Sequence, residues 1–166
     1  VIDPYTQTEF EKDIIFGKIG EDIFTKDFLE LLDIKYIDVT KSQGFQIIDN
    51  DFVSKIGLYE VKTNYKDNKE IIIEEYTNIN ENLGKINYGW FYKSKADIIV
   101  FVSKKTRSMI LLPFSQKFKD HYETIKNNHE LFRNKISIRN KNKWQSAFRK
   151  IPLSEINGYF AFYKKI

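Results

Sequence analysis

Residues 49–63, DNDFVSKIGLYEVKT, constrain the fold most, because they join two short β-branched and aromatic runs through a polar turn. A hairpin centred on Lys55 and Ile56 sets Phe52 opposite Tyr59, Val53 opposite Leu58, Asp51 opposite Glu60 and Asp49 opposite Lys62. Side chains alternate along a strand, so Asp49, Asp51, Glu60 and Lys62 share one face. Phe52, Tyr59 and Val61 then fill the other, core-facing side, and a one-residue slip would scatter the set. Facing carboxylates about 5 Å apart repel each other unless positive charge lies between them. A hard divalent cation resolves that repulsion, since Mg²⁺ takes one or two carboxylates together with waters and substrate phosphate oxygens. Lys62, beside Glu60, would act on an attacking water or on charge that develops in a phosphorane-like transition state. These groups together suit phosphodiester hydrolysis. The competing reading makes Asp49–Lys62 a surface salt bridge and Asp51 a turn cap. Acid-x-Lys also occurs at Asp33–Lys35 and Asp67–Lys69, but only the copy at Glu60–Lys62 lies in an apolar strand with an acid facing it.

The flanking sequence predicts a domain of the α/β (α+β) class with a central mixed sheet flanked by helices. Thr6 with Glu9 and Thr8 with Glu11 form capping-box pairs that start a helix. Gly17 and Gly20 interrupt it before EDIFTKDFLELL resumes the helical period, with Phe24, Phe28, Leu31 and Leu32 as the apolar stripe. Glu21 falls three and seven residues before Phe24 and Phe28, on or beside the buried side. Strands are expected over about 36–39, 45–53, 57–63 and 70–76. The run ADIIVFVSKKTRSMILLPF gives two more, a helix comes next over about 115–133, and GYFAFYKK supplies a last strand. Trp144, Phe148 and Ile151, spaced four and three apart, read as the stripe of a short helix.

At 166 residues, with 42% hydrophobic residues, the chain is long and apolar enough for one domain, 1–166, with its own core. No apolar run approaches the roughly 18 residues that cross a bilayer, and the polar, acidic start shows no signal peptide. The absence of Cys excludes disulfides and thiolate metal sites, and an intracellular, cytoplasmic setting is the expectation. Residues 1–103 carry 12 Lys and Arg against 19 Asp and Glu, a net −7, whereas residues 104–166 carry 15 against 4, a net +11. That asymmetry predicts a cation-binding or catalytic face joined to a polyanion-binding surface. The basic segment 115–166 supplies Arg133, Lys135, Arg139, Lys141, Lys143, Arg149 and Lys150 as candidate phosphate contacts. Gln46, on a strand entering the site, offers a phosphate or base contact but reads first as an ordinary strand-edge glutamine; Glu75 rather than its neighbour Glu74 would face the site; Asp97 either supports a ligand or simply starts its strand. His121 and His129, eight apart, lack the spacing of a zinc pair and read as surface residues.

At these residues the sequence resembles the PD-(D/E)xK nuclease superfamily, over roughly residues 9–103. GKIGED offers a helical glutamate in Glu21, NDFV the strand aspartate in Asp51, and YEVKT the (D/E)-x-Lys of the next strand in Glu60 and Lys62. IIIEEYTN and GWFYKSKADIIVFV look similar to the downstream strands of phage and bacterial members, Holliday-junction-resolvase-like and restriction-type enzymes among them. The proline that precedes the family's aspartate is replaced by Asn50. The resemblance implies a restriction-endonuclease-like core, metal (Mg²⁺ or Mn²⁺) on Asp51, Glu60 and Glu21, and Lys62 acting on the water or transition state. Asp51 is preferred to Asp49 because its cross-strand partner is Glu60. The implied activity is that of a DNA endonuclease, with a homodimer as a plausible assembly. A catalytically silent nucleic-acid-binding module and a protein-interaction module on the same fold are the alternatives.

Overall fold

The structure, a computed structural model, describes the backbone of residues 4–64, 66–80, 83–133, 137–139 and 142–166. Side chains are described from residue 12 onwards, except at 65, 78, 80–82 and 134–145. The chain forms a mixed α+β fold in which a central mixed sheet is flanked by helices.

Helix α1 (Pro4–Phe24) leads into a π-helical stretch, Thr25–Glu30. Thr6 and Thr8 therefore lie within the helix instead of starting it, and Gly17 and Gly20 do not interrupt it. Gly20 serves close packing: a Cβ there would sit 1.9 Å from Thr63 Oγ1. The π-helical stretch adds a residue to the local turn and rotates the residues after it about the helix axis. Leu29 is consequently buried, while Leu31 and Leu32, expected in the stripe, are half exposed at 52% and 50%.

The central sheet runs β1 (Tyr36–Asp38), β2 (Phe52–Ser54), β3 (Leu58–Asn64), β6 (Ile98–Ser103), β7 (Ser108–Pro113) and β11 (Ala161–Lys164) in spatial order. β3 and β6 are parallel and every other pairing is antiparallel. The second sheet orders β5 (Lys85–Tyr88), β4 (Glu70–Asn80), β10 (Asn142–Pro152) and β8 (Phe132–Arg133), with β9 (Ser137–Arg139) also on β10. In chain order its strands β4 and β5 fall between β3 and β6 of the central sheet. The basic C-terminal half is woven in through β10 on β4 and β11 on β7.

Alternation along β6 divides the interior into two cores. Val100 and Val102 join Phe24, Leu29, Phe52, Tyr59 and Val61 beneath α1. Ile99 and Phe101 face the second sheet, where Ile71, Ile73 and Ile151 meet α3 (Trp90–Lys93) and α4 (Gln116–Ile125). Ser115 caps α4 by accepting from the Phe118 N–H at 3.2 Å, and Phe118 and Tyr122, one turn apart, face inward.

Three expected elements differ. The strand expected over 45–53 divides into a short helix α2 (Gln43–Ile47) and β2, because Gln46 N–H bonds Ser42 O and Asn50 N–H bonds Phe45 O. The helix expected to run to 133 ends at Ile125 and Lys126–Asn128 is 3₁₀. The helix expected around Trp144–Ile151 is strand β10, in which backbone pairing with β4 overrides the local spacing. Phe148 and Ile151 thus occupy opposite faces; the side chain of Trp144 lies outside the described residues. Among the described residues no helix is long and apolar enough to cross a membrane.

Candidate active site

The hairpin forms in the expected register, Phe52 opposite Tyr59 and Val53 opposite Leu58. Gly57, at φ 152°, makes the turn, and Asp97 secures it by accepting the Leu58 N–H at 2.8 Å. Asp97 is thus a hairpin clamp. Tyr59 and Val61 enter the core beneath α1, which turns Glu60 and Lys62 to the opposite face of the sheet.

β2 does not accompany β3 along its length. Asp51 N–H still donates to Tyr59 O at 2.8 Å, but the next β3 donor, the Val61 N–H, is taken by the Asp51 carboxylate, Oδ2 at 2.8 Å. Asp49 therefore does not lie in the ladder opposite Lys62, contrary to expectation. It occupies a turn with φ 50°, the left-handed region that Asp tolerates better than most residues. Lys93 Nζ, from α3, sits 3.2 Å from Asp49 Oδ2, though no hydrogen bond of good geometry reaches that buried oxygen. Asn50 is fully buried, and its side-chain oxygen and nitrogen have no hydrogen-bond partner.

Asp51 and Glu60 are 8% and 5% exposed. Burial raises the Asp51 carboxyl to about 6 against the Val61 N–H and Lys62, with Glu21 and Asp49 adding repulsion. Burial likewise raises Glu60 to about 7, opposed by Lys62 and reinforced by Asp51 and Asp49. Lys62 is ion-paired to Glu60 and its ammonium lies 5.8 Å from the centroid of the buried Trp90 ring. Burial disfavours the Lys62 charge, but Glu60, Asp49 and Asp51 outweigh it and hold its pKa above the ordinary value. Glu21, on α1, is half-buried and bonded to Lys18 at 3.5 Å; burial raises its pKa, against the pull of Lys18. Its charge reaches Asp51, so all four residues of the expected set share one electrostatic neighbourhood.

The remaining candidates separate. Glu75 is turned into the core, where its Oε1 accepts from Tyr122 Oη at 2.7 Å and Arg149 Nε at 3.0 Å. This corrects two expectations together: Glu75 does not face the site, and Arg149 is its half-buried partner, not a surface phosphate contact. The site-facing residue is Glu74. Burial raises its pKa while Lys62 lowers it, and Thr77 Oγ1 and the Trp90 N–H bond its carboxylate. Along β4, Ile71, Ile73 and Glu75 share the buried face, leaving Ile72 and Glu74 on the other.

Gln46 is exposed on α2 and not on a strand entering the site. Lys150 shares the Glu74 face and lines, with Lys62, Thr63 and Phe16, a cleft of about 710 Å³ between α1 and the second sheet. Arg133 is exposed on β8 opposite Ala147. Lys135 and Lys141 lie outside the described residues, as do the side chains of Arg139 and Lys143. His121 and His129 both engage Glu155, His121 Nε2 its main-chain oxygen at 2.6 Å and His129 Nε2 its carboxylate at 2.7 Å, so they are tied down and not free on the surface.

Among the described residues no three His, Cys, Asp or Glu side chains cluster tightly enough to cage a metal unaided. The donors that are present suit a hard cation completed by water and substrate. They are two buried carboxylates with raised pKa values and a third buried carboxylate oxygen lacking a hydrogen bond. No protein-family model matches the chain, and comparisons with curated proteins and with solved structures find no match either.

Proposed function

We propose that this protein is a metal-dependent endonuclease of the PD-(D/E)xK type, hydrolysing phosphodiester bonds of DNA. The observation that carries the reading is the buried pair Asp51 and Glu60, whose carboxyls are held at about 6 and about 7, with Lys62 ion-paired beside them. The chain order agrees with the superfamily's: a helix bearing Glu21, a strand preceded by Asp51, then Glu60 and Lys62 on the next strand of a mixed sheet. A restriction-endonuclease-like core is the finer fold assignment that this order supports.

Asp51 and Glu60 would hold Mg²⁺ or Mn²⁺, with Glu21 completing the shell. The cation would supply Lewis-acid polarisation of the scissile phosphate and acidify the attacking water. Lys62, fixed between Glu60 and the Trp90 ring, is positioned to offset negative charge developing on the phosphate. Glu74, on the facing sheet, keeps the Lys62 ammonium in place by charge.

Wild type, Glu60→Gln and Lys62→Ala are incubated with labelled duplex, single-stranded, four-way-junction and RNA substrates in Mg²⁺, Mn²⁺ or EDTA. Metal-dependent cutting of DNA that both variants lose is the expected result. Cutting retained by either variant, or no cutting of any substrate, refutes the catalytic assignment.

A further inference from the structure

Three tyrosines form a surface cluster beside the candidate active site. Tyr88, on edge strand β5, pairs across the ladder with Tyr76 of β4, their rings 6.0 Å apart, and meets Tyr92 of α3 edge-on at 5.4 Å. Tyr76 and Tyr92 close the triangle at 6.5 Å. The rings are held in place: Tyr92 Oη donates to Glu123 at 3.1 Å and accepts from Lys126 Nζ at 3.2 Å. Tyr88 nevertheless remains 59% exposed and Tyr92 38%. Clustered aromatic faces left in water mark binding surfaces.

The cluster borders a cleft of about 500 Å³ lined by Thr77, Ile86, Asn87, Tyr88, Tyr92 and Lys93. Lys93 is the only charged residue among those lining it, so the cleft suits an anionic ligand with flat apolar faces. Two links connect it to the site. Lys93 Nζ is 3.2 Å from Asp49 Oδ2, and Thr77 Oγ1 donates to Glu74 Oε1 at 3.2 Å. A chain bound in this cleft would lie against residues that contact Asp49 and Glu74. The larger cleft beside α1 is less suited to a polyanion, since Asp13, Asp67, Glu70 and Glu74 outnumber its lysines.

We infer that the Tyr88–Tyr92 platform stacks unpaired bases of a single-stranded segment, with Lys93 and Asn87 on its backbone. The substrate class is then DNA carrying a single-stranded stretch at the cut site, such as a flap, a gap or a branch. Aromatic stacking is sequence-tolerant because every base presents a π face. The inference rests on the nuclease reading for its link to chemistry, but binding tests it without cutting.

Binding of fluorescein-labelled single-stranded oligo-dT and of a blunt duplex of equal length is measured by anisotropy in EDTA, for the full chain. Oligo-dT should bind more tightly than the duplex. Tyr88→Ala and Tyr92→Ala should each weaken oligo-dT binding roughly tenfold, with little effect on the duplex. Tyr88→Trp should retain the affinity. Both tyrosines are partly exposed, and a thermal melt of each variant checks that the fold is intact. Equal affinity of wild type and the alanine variants for oligo-dT overturns the platform, as does the absence of oligo-dT binding, which would point to a protein ligand for the tyrosines. Failure of the nuclease reading is read separately, as no metal-dependent cutting of any substrate by wild type while oligo-dT binding and its loss in the alanine variants persist.

Discussion

Glu75 and Glu60 are both buried glutamates on strands, yet the fold treats them in opposite ways. Glu75 receives a guanidinium from Arg149 and a hydroxyl from Tyr122, so its charge is matched where it is made. Asp27 is handled similarly, with Arg107 Nε at 2.8 Å and Nη2 at 2.7 Å from the same oxygen. Glu60 shares its surroundings with Asp51 and Asp49, and Lys62 is its only cationic hydrogen-bond partner among the described residues. Two lysines, Lys62 and Lys93, face three carboxylates there. The first arrangement stabilises the fold. The second leaves three carboxylates to two lysines, an excess that a cation bound under the proposed reading would offset.

The largest expected effect breaks the structural pair. Glu75→Gln leaves the half-buried Arg149 guanidinium without its carboxylate and should cost up to about 3 kcal/mol in urea or thermal unfolding. It should leave cutting per folded molecule unchanged. Lys62→Ala should do the reverse, lowering the cleavage rate by roughly 10²–10³-fold with little loss of stability. If Lys62→Ala instead melts the protein while Glu75→Gln removes activity, the comparison is inverted.

Acidity sharpens the contrast further. Asp51 and Glu60 have folded pKa values raised to about 6 and about 7, so the folded chain keeps protons that the unfolded chain releases between about pH 4 and pH 7. Stability in EDTA should therefore fall as pH rises through that window, by on the order of 3 kcal/mol per group, and level off above it. Asp51→Asn with Glu60→Gln should flatten the profile, as measured by urea midpoints across pH. Gly20→Ala tests packing away from the charges. Its Cβ meets the branched Thr63 side chain at 1.9 Å, and separating α1 from β3 should cost about 1–3 kcal/mol, recovered in part by Thr63→Ala. The smallest effect is metal itself. Mg²⁺ or Mn²⁺ at about five times its Kd should add about 1 kcal/mol at pH 8, and nothing to Glu60→Gln.

The residues that mattered were legible where local rules are strong. Period-two alternation and a polar turn containing glycine gave the Phe52–Tyr59 register, and with it the common neighbourhood of Asp51, Glu60 and Lys62. The same alternation separated Glu74 from Glu75, but not which of the two faced the core. That depended on Tyr122 and Arg149, 47 and 74 residues away in sequence. Spacing alone made a helix of Trp144 to Ile151, whereas the backbone of β4, available only after collapse, made it a strand.

By itself, then, the sequence determined the hairpin pairing, the order of the acids and lysine, and the charge asymmetry between the halves, because each is set by local pattern or by composition. Tertiary structure decided the π-turn that buries Leu29, the burial that lifts Asp51 and Glu60, the removal of Arg149 from the surface and the approach of Lys93 to Asp49. Each of those depends on which distant backbone arrives and on how much water it displaces, and desolvation has no signature along a chain.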